Sequence, residues 1–121
     1  MDKLKFTKRE LDIMHVLWDA KGPLSAKEVF EKNSSISLNT IQAVLRKLLR
    51  NKLIKTAEIG YSGTVLTRKY APVLSEEDYL ASQFSKKSIS NLIATLIKNS
   101  SSEDLAEIEK LIADKKSKQT A

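Results

Sequence analysis

"SSISLNTIQAVLRKLLRNKLIK", residues 34–55, contains no aspartate or glutamate. Its apolar residues Ile41, Val44, Leu45, Leu48 and Leu49 recur at helical spacing, so a helix over about 38–51 turns one side to a core. Asn39, Gln42, Ala43, Arg46 and Arg50 fall on the opposite side, with Thr40 at the leading turn and Lys47 on the flank. A solvated helix back normally mixes acids with bases, because opposite charges four residues apart support it. Here Lys32, Arg46, Lys47, Arg50, Lys52 and Lys55 follow one another with no acid between them. That composition suits a polyanion laid against the helix.

The order along the helix sharpens this reading. Asn39, Thr40 and Gln42 come first and can hydrogen-bond base edges, while Ala43 permits close approach or contact with a thymine methyl. The cations come later and suit phosphate or guanine. A helix entering the major groove by its N-terminal end would use its residues in this order.

Working outward, four stretches have the form of a capping box: "TKRE" (7–10), "SAKE" (25–28), "SEED" (75–78) and "SSED" (101–104). In such a box the hydroxyl accepts from an amide one turn in and the acid reaches back to the cap amide. They predict a first helix over 7–20, with Leu11, Met14, Leu17 and Trp18 inward, stopped by Gly22 and Pro23. A second, short helix is expected over 25–32, with Ala26, Val29 and Phe30 on one side, and "NSSIS" (33–37) as the turn into the third. "LIKTAEI" (53–59) and "TVLTRKYA" (64–71) flank "GYSG" (60–63), which reads as a hairpin with a four-residue loop. Tyr61 would stand at its tip, in reach of sugar or phosphate, and Arg68 and Lys69 near phosphates. Three helices and a hairpin within 72 residues have the order of a winged helix-turn-helix.

Beyond Pro72 the character changes. Residues 1–72 hold 14 Lys/Arg and 7 Asp/Glu, a net of +7; residues 73–121 hold 7 and 8, a net of −1. Tyr79, Leu80 and Phe84 form one apolar group, Ile89, Leu92, Ile93, Leu96 and Ile97 a stripe, and Leu105, Ile108, Leu111 and Ile112 another. The tail "DKKSKQTA" (114–121) is polar and reads as frayed. So short a helical segment hardly covers its own apolar faces. The helices either fold back on the first domain or, as we expect, meet the same helices of a second chain. The expected fold is α+β and mostly helical, with a winged-helix DNA-binding domain at 1–72 and a helical dimerisation region at 73–121.

Other function classes find little support. The chain has no cysteine, which excludes disulfides, thiolate metal sites and cysteine nucleophiles and fits a reducing compartment. The opening "MDKLKFTKRELDI" has no apolar run of signal-peptide length, and no stretch approaches a membrane span. The expected address is the cytoplasm, with no membrane partner. Asp12, His15 and Asp19 share one face of the first helix, but a single exposed helix would leave most of a metal's coordination sphere to water. They read as a polar outer face. The acids Glu76, Glu77 and Asp78 fit a helix N-terminus, where the dipole favours them. No phosphate loop or nucleophile–base spacing points to an enzyme, and no cofactor is expected. The alternative reading is a winged-helix module whose basic face meets an acidic protein.

"FTKRELDIMHVLW" (6–18), "GPLSAKEV" (22–29), "SLNTIQAVLRKLLRNKLI" (37–54) and "YAPVLSEEDYL" (70–80) together resemble the penicillinase repressor (BlaI/MecI/CopY) family of winged-helix regulators. The resemblance implies a homodimer that represses transcription from an operator of two-fold symmetry. By position it implies recognition-helix contacts at Asn39, Thr40, Gln42, Ala43, Arg46 and Lys47. Lys47 stands where the family commonly has Arg, and Lys52 where it commonly has Gly. The β-lactam-responsive branch is relieved through a sensor protease system by cleavage within the dimerisation helices, usually at Asn-Phe. The matching place here is Thr95-Leu96, which lacks that pair. The copper-responsive branch uses C-terminal cysteine pairs, a route closed to this chain.

Overall fold

The computed structural model describes residues 4–120. Helix α1 (Lys8–Asp19) opens on a capping box closed in both directions: Thr7 accepts from the Glu10 amide, and Glu10 accepts from the Thr7 amide. Strand β1 (Leu24–Ser25) leads into α2 (Ala26–Lys32), which starts on the same device built from Ser25 and Glu28. Helix α3 (Leu38–Arg50) is capped by Ser37. The apolar residue before that cap, Ile36, and Ile41 in the first helical turn are both in the core, so they pin the angle at which the chain enters α3. Then come β2 (Ile54–Ser62), β3 (Val65–Pro72), α4 (Glu76–Ser82), α5 (Lys86–Lys98) and α6 (Ser102–Thr120). Order and pairing make the first six elements a winged helix-turn-helix, and the fold is α+β and mostly helical.

The core is formed where α1, α2 and α3 meet the base of the hairpin. Ile13, Met14, Leu17, Leu24, Val29, Ile36, Ile41, Leu45, Leu48 and Ile54 are its buried apolar residues. Leu49, expected on the inner stripe, lies at its edge and is exposed. At about 100° per residue it sits roughly 70° round from the Leu45–Leu48 centre.

Three details differ from the sequence reading. First, the sheet has three strands in the order β1-β3-β2, all antiparallel. The added strand is only Leu24–Ser25, paired with Tyr70 and Lys69, and its residues had been assigned to the approach and start of α2. Second, "GYSG" is not a four-residue loop. The ladder continues through Gly60↔Thr67, Tyr61↔Leu66 and Ser62↔Val65, which leaves Gly63 and Thr64 as the turn. Gly63 adopts φ +65°, the left-handed step a two-residue hairpin needs at its first position. Tyr61 is therefore a strand residue, not the tip. Third, the tail is helical to Thr120; its lysines and glutamine are good helix formers, and cations suit a helix C-terminus.

Helix α3 ends in a Schellman motif. The Leu53 amide donates to the Leu48 carbonyl and the Lys52 amide to that of Leu49, both at 3.0 Å. Lys52 occupies the left-handed position at φ +63°, where glycine would carry no Cβ penalty.

The chain packs as two units, one up to Gln83 and one from Phe84 onward. Helix α4 belongs to the first. Trp18 Nε1 donates to the Leu74 carbonyl at 2.8 Å, Gln83 Nε2 donates to the Leu4 carbonyl at 2.8 Å, and Tyr79 stacks near both Phe6 and Trp18. These ties carry the packing past Pro72. The second unit consists of α5 and α6 and holds no buried residue among those described. Leu92, Ile93, Leu96, Ile97, Leu111 and Ile112 are all exposed, while Ile89, Leu105 and Ile108 are half-buried.

Candidate nucleic-acid interface

Helix α3 presents a surface that follows from its own sequence. Ile41, Leu45 and Leu48 are buried, so Asn39, Gln42, Ala43, Arg46 and Arg50 are turned outward, and all five are exposed. Thr40 is half-buried and its hydroxyl accepts from Ser37 Oγ at 2.9 Å, which fixes the rotamer of the leading turn. No acidic residue lies in the first turn, so the positive end of the helix dipole faces solvent without a carboxylate to oppose it.

The hairpin extends this surface on one side. Gln42, Arg46 and Arg68 line one groove of about 410 Å³ with Leu66, Thr67 and Lys27. Lys27 was missed in the sequence reading, where "SAKE" was used only for its cap; its place in the first turn of α2 brings it to the groove. Arg46, Arg50, Arg68 and Lys27 have no ion-pair partner among the described residues.

Three expected contacts are placed differently. Lys69 Nζ lies 3.3 Å from Glu28 Oε1, and Tyr61 with Lys69 lines a neighbouring cleft beside Glu28, Glu31 and Glu58. Lys27 lines it as well, so three carboxylates face two ammonium groups there and leave it less attractive to phosphate than the groove of Arg46 and Arg68. Lys47 Nζ lies 3.3 Å from Glu10 Oε2. Burial pushes the Glu10 carboxyl up, but the Thr7 amide and hydroxyl and Lys47 outweigh it and leave it below the ordinary value. Glu28 is also lowered, first by the Ser25 amide and then, against burial, by Lys69 and the Ser25 hydroxyl.

His15 Nδ1 lies 3.5 Å from Glu76 Oε2 and its ring meets Trp18 edge-on. Among the described residues no group of three or more His, Asp or Glu could hold a metal ion. No helix among them is long and apolar enough to cross a membrane.

Solved structures similar to this chain include FabT of Streptococcus pneumoniae in complex with DNA, at 16% identity over 96% of this chain and 77% of that one, TM-score 0.45. A MarR family protein from Bacillus stearothermophilus matches at 15% identity over 98% and 78%, TM-score 0.43. MepR of S. aureus in complex with DNA matches at 15% identity over 94% and 80%, TM-score 0.43. No curated protein sequence matches. The model of the family described as penicillinase repressor matches residues 6–114. The chain therefore belongs to the penicillinase repressor family, and is a winged-helix DNA-binding transcriptional repressor and not an enzyme.

Proposed function

We propose that this repressor acts as a homodimer on an operator of two-fold symmetry, with α3 of each protomer in successive major grooves about 34–36 Å apart. The observation that carries this reading is the acid-free outer face of α3 above an inner face that buries Ile41, Leu45 and Leu48. Asn39, Thr40, Gln42 and Ala43 would read base edges. Arg46, Arg50, Arg68 and Lys27 would supply the salt-sensitive attraction to phosphate. Tyr61 and Lys69 keep a lesser part at the edge of the wing, because carboxylates surround them.

Dimerisation is the role that suits Phe84, Ile89, Leu92, Ile93, Leu96 and Ile97 with Leu105, Ile108, Leu111 and Ile112. Two helices without a buried residue gain stability only when their apolar faces are covered. Leu80, exposed on α4 of the first unit, is a dimerisation candidate by the same reasoning. Relief of repression would act on this seam. The exposed Thr95-Leu96 bond is the proposed cleavage point for a sensor protease system; it lies inside α5, so the helix must unwind locally before a protease can cut.

The test is selection of bound duplexes from a random pool, followed by a salt titration. The reading predicts a two-fold symmetric consensus and an affinity loss of about 10³–10⁵ between 50 and 200 mM salt for some 6–10 phosphate contacts. An asymmetric consensus would remove the dimer geometry. Binding that ignores salt would favour an acidic protein as the partner.

A further inference from the structure

Glu10 is a buried carboxylate, 7% exposed, that serves two helices at once. One oxygen accepts from the Thr7 amide at 2.8 Å and so closes the N-terminus of α1. The other lies 3.3 Å from Lys47 on α3. Lys47 is reached because, at about 100° per residue, it falls on the flank of α3 opposite Gln42 and Arg46. A buried carboxylate that loses its cation keeps the desolvation cost and forfeits the attraction. Moving Lys47 to a phosphate would leave Glu10 in that condition, whereas Arg46 and Arg50 can reach an anion without breaking an ion pair.

We infer that Lys47 is a positioning residue and not a DNA ligand: Glu10 holds it as a strut that sets the recognition helix against the start of α1. This inference rests on the DNA-binding reading only for its functional consequence, since the strut itself is a property of the free protein. It assigns Glu10 a part in operator recognition although the carboxylate lies away from the outward face of α3.

The experiment uses the full chain and the variants Lys47→Met, Lys47→Arg, Glu10→Gln, Arg50→Ala and the double variant Glu10→Gln/Lys47→Met. Thermal unfolding is measured without DNA, and affinity for the selected duplex as a function of salt. Lys47→Met and Glu10→Gln should each lower the midpoint by about 4–8 °C, the double variant by less than their sum, and Lys47→Arg should restore the pair. Lys47→Met should lose affinity with the salt slope unchanged, while Arg50→Ala flattens the slope by about 0.9 per protomer. Additive losses in unfolding, or a Lys47→Met slope flattened as much as that of Arg50→Ala, would overturn the strut. Should the wild-type protein show no salt-dependent duplex binding, the DNA reading fails instead, and the unfolding cycle still decides the strut.

Discussion

The two units of this chain divide apolar surface in opposite ways. The first, up to Gln83, encloses ten buried apolar residues among those described and leaves its recognition helix oily beneath and cationic above. The second, from Phe84, has helices of similar amphipathic pattern and buries nothing among its described residues; Leu96 is 56% and Leu111 64% exposed. The spacing of Ile41, Val44, Leu45, Leu48 and Leu49 in α3 recurs in Ile89, Leu92, Ile93, Leu96 and Ile97 of α5, and it has two outcomes. In the first unit α1, α2 and the hairpin cover the stripe of α3, and the face left outside is polar and carries the chemistry. In the second the stripe itself is left outside, which is why we assign it to dimerisation.

The contrast can be broken most severely in the second unit. Leu92→Asp places a charge in the proposed seam and should give a monomer in sedimentation, with operator affinity lower by about 10²–10⁴ because two linked half-site contacts become one. A full dimer would show that the seam lies elsewhere. Leu48→Ala attacks the first unit at its centre and should cost about 2–5 kcal/mol in denaturant unfolding. Ile93→Ala, the matching truncation in the second unit, should weaken dimerisation and leave the unfolding of the first unit unchanged. Gln42→Ala should cost about 1–3 kcal/mol at one base pair and little elsewhere; equal loss on every sequence would remove Gln42 from the reading set. Lys52→Gly relieves a left-handed lysine at the end of α3 and should stabilise the first unit by about 1 kcal/mol.

The smallest effect concerns acid. Glu10 and Glu28 both titrate below their ordinary value of 4.5 in the folded chain. Their contribution to stability is therefore complete above that value and fades as pH falls through the lowered ones. Glu10→Gln should flatten the acid limb of a stability–pH curve more than Glu28→Gln, because the Glu28 carboxylate is more exposed to screening water than that of Glu10.

Much of this was legible in the residues, for local reasons. Thr7 with Glu10 and Ser25 with Glu28 set two helix starts within a single turn, and the stripe from Ile41 to Leu48 set the inner face of α3. What escaped depended on partners distant in sequence. β1 is two residues whose strand character lies in backbone pairing with Tyr70 and Lys69, which no side-chain pattern displays. The ion pairs of Glu10 with Lys47 and Glu28 with Lys69 join different elements, and the capping boxes had already accounted for both acids. Glycines at 60 and 63 bracketed an apparent loop, yet only Gly63 takes the left-handed step. Of the expected contact residues of α3, Asn39, Gln42, Ala43, Arg46 and Arg50 share one outward face while Lys47 turns to Glu10; Arg68 joins the groove of Gln42 and Arg46, and Lys69 and Tyr61 turn toward carboxylates.

The most direct test of the account is hydroxyl-radical footprinting of the protein with and without its selected duplex. Protection should concentrate on the exposed residues of α3, with Gln42, Arg46 and Arg50 shielded by DNA and Leu92 and Leu96 unaffected by it. Equal reactivity of residues 39–50 in both states would contradict the claim that this face meets nucleic acid.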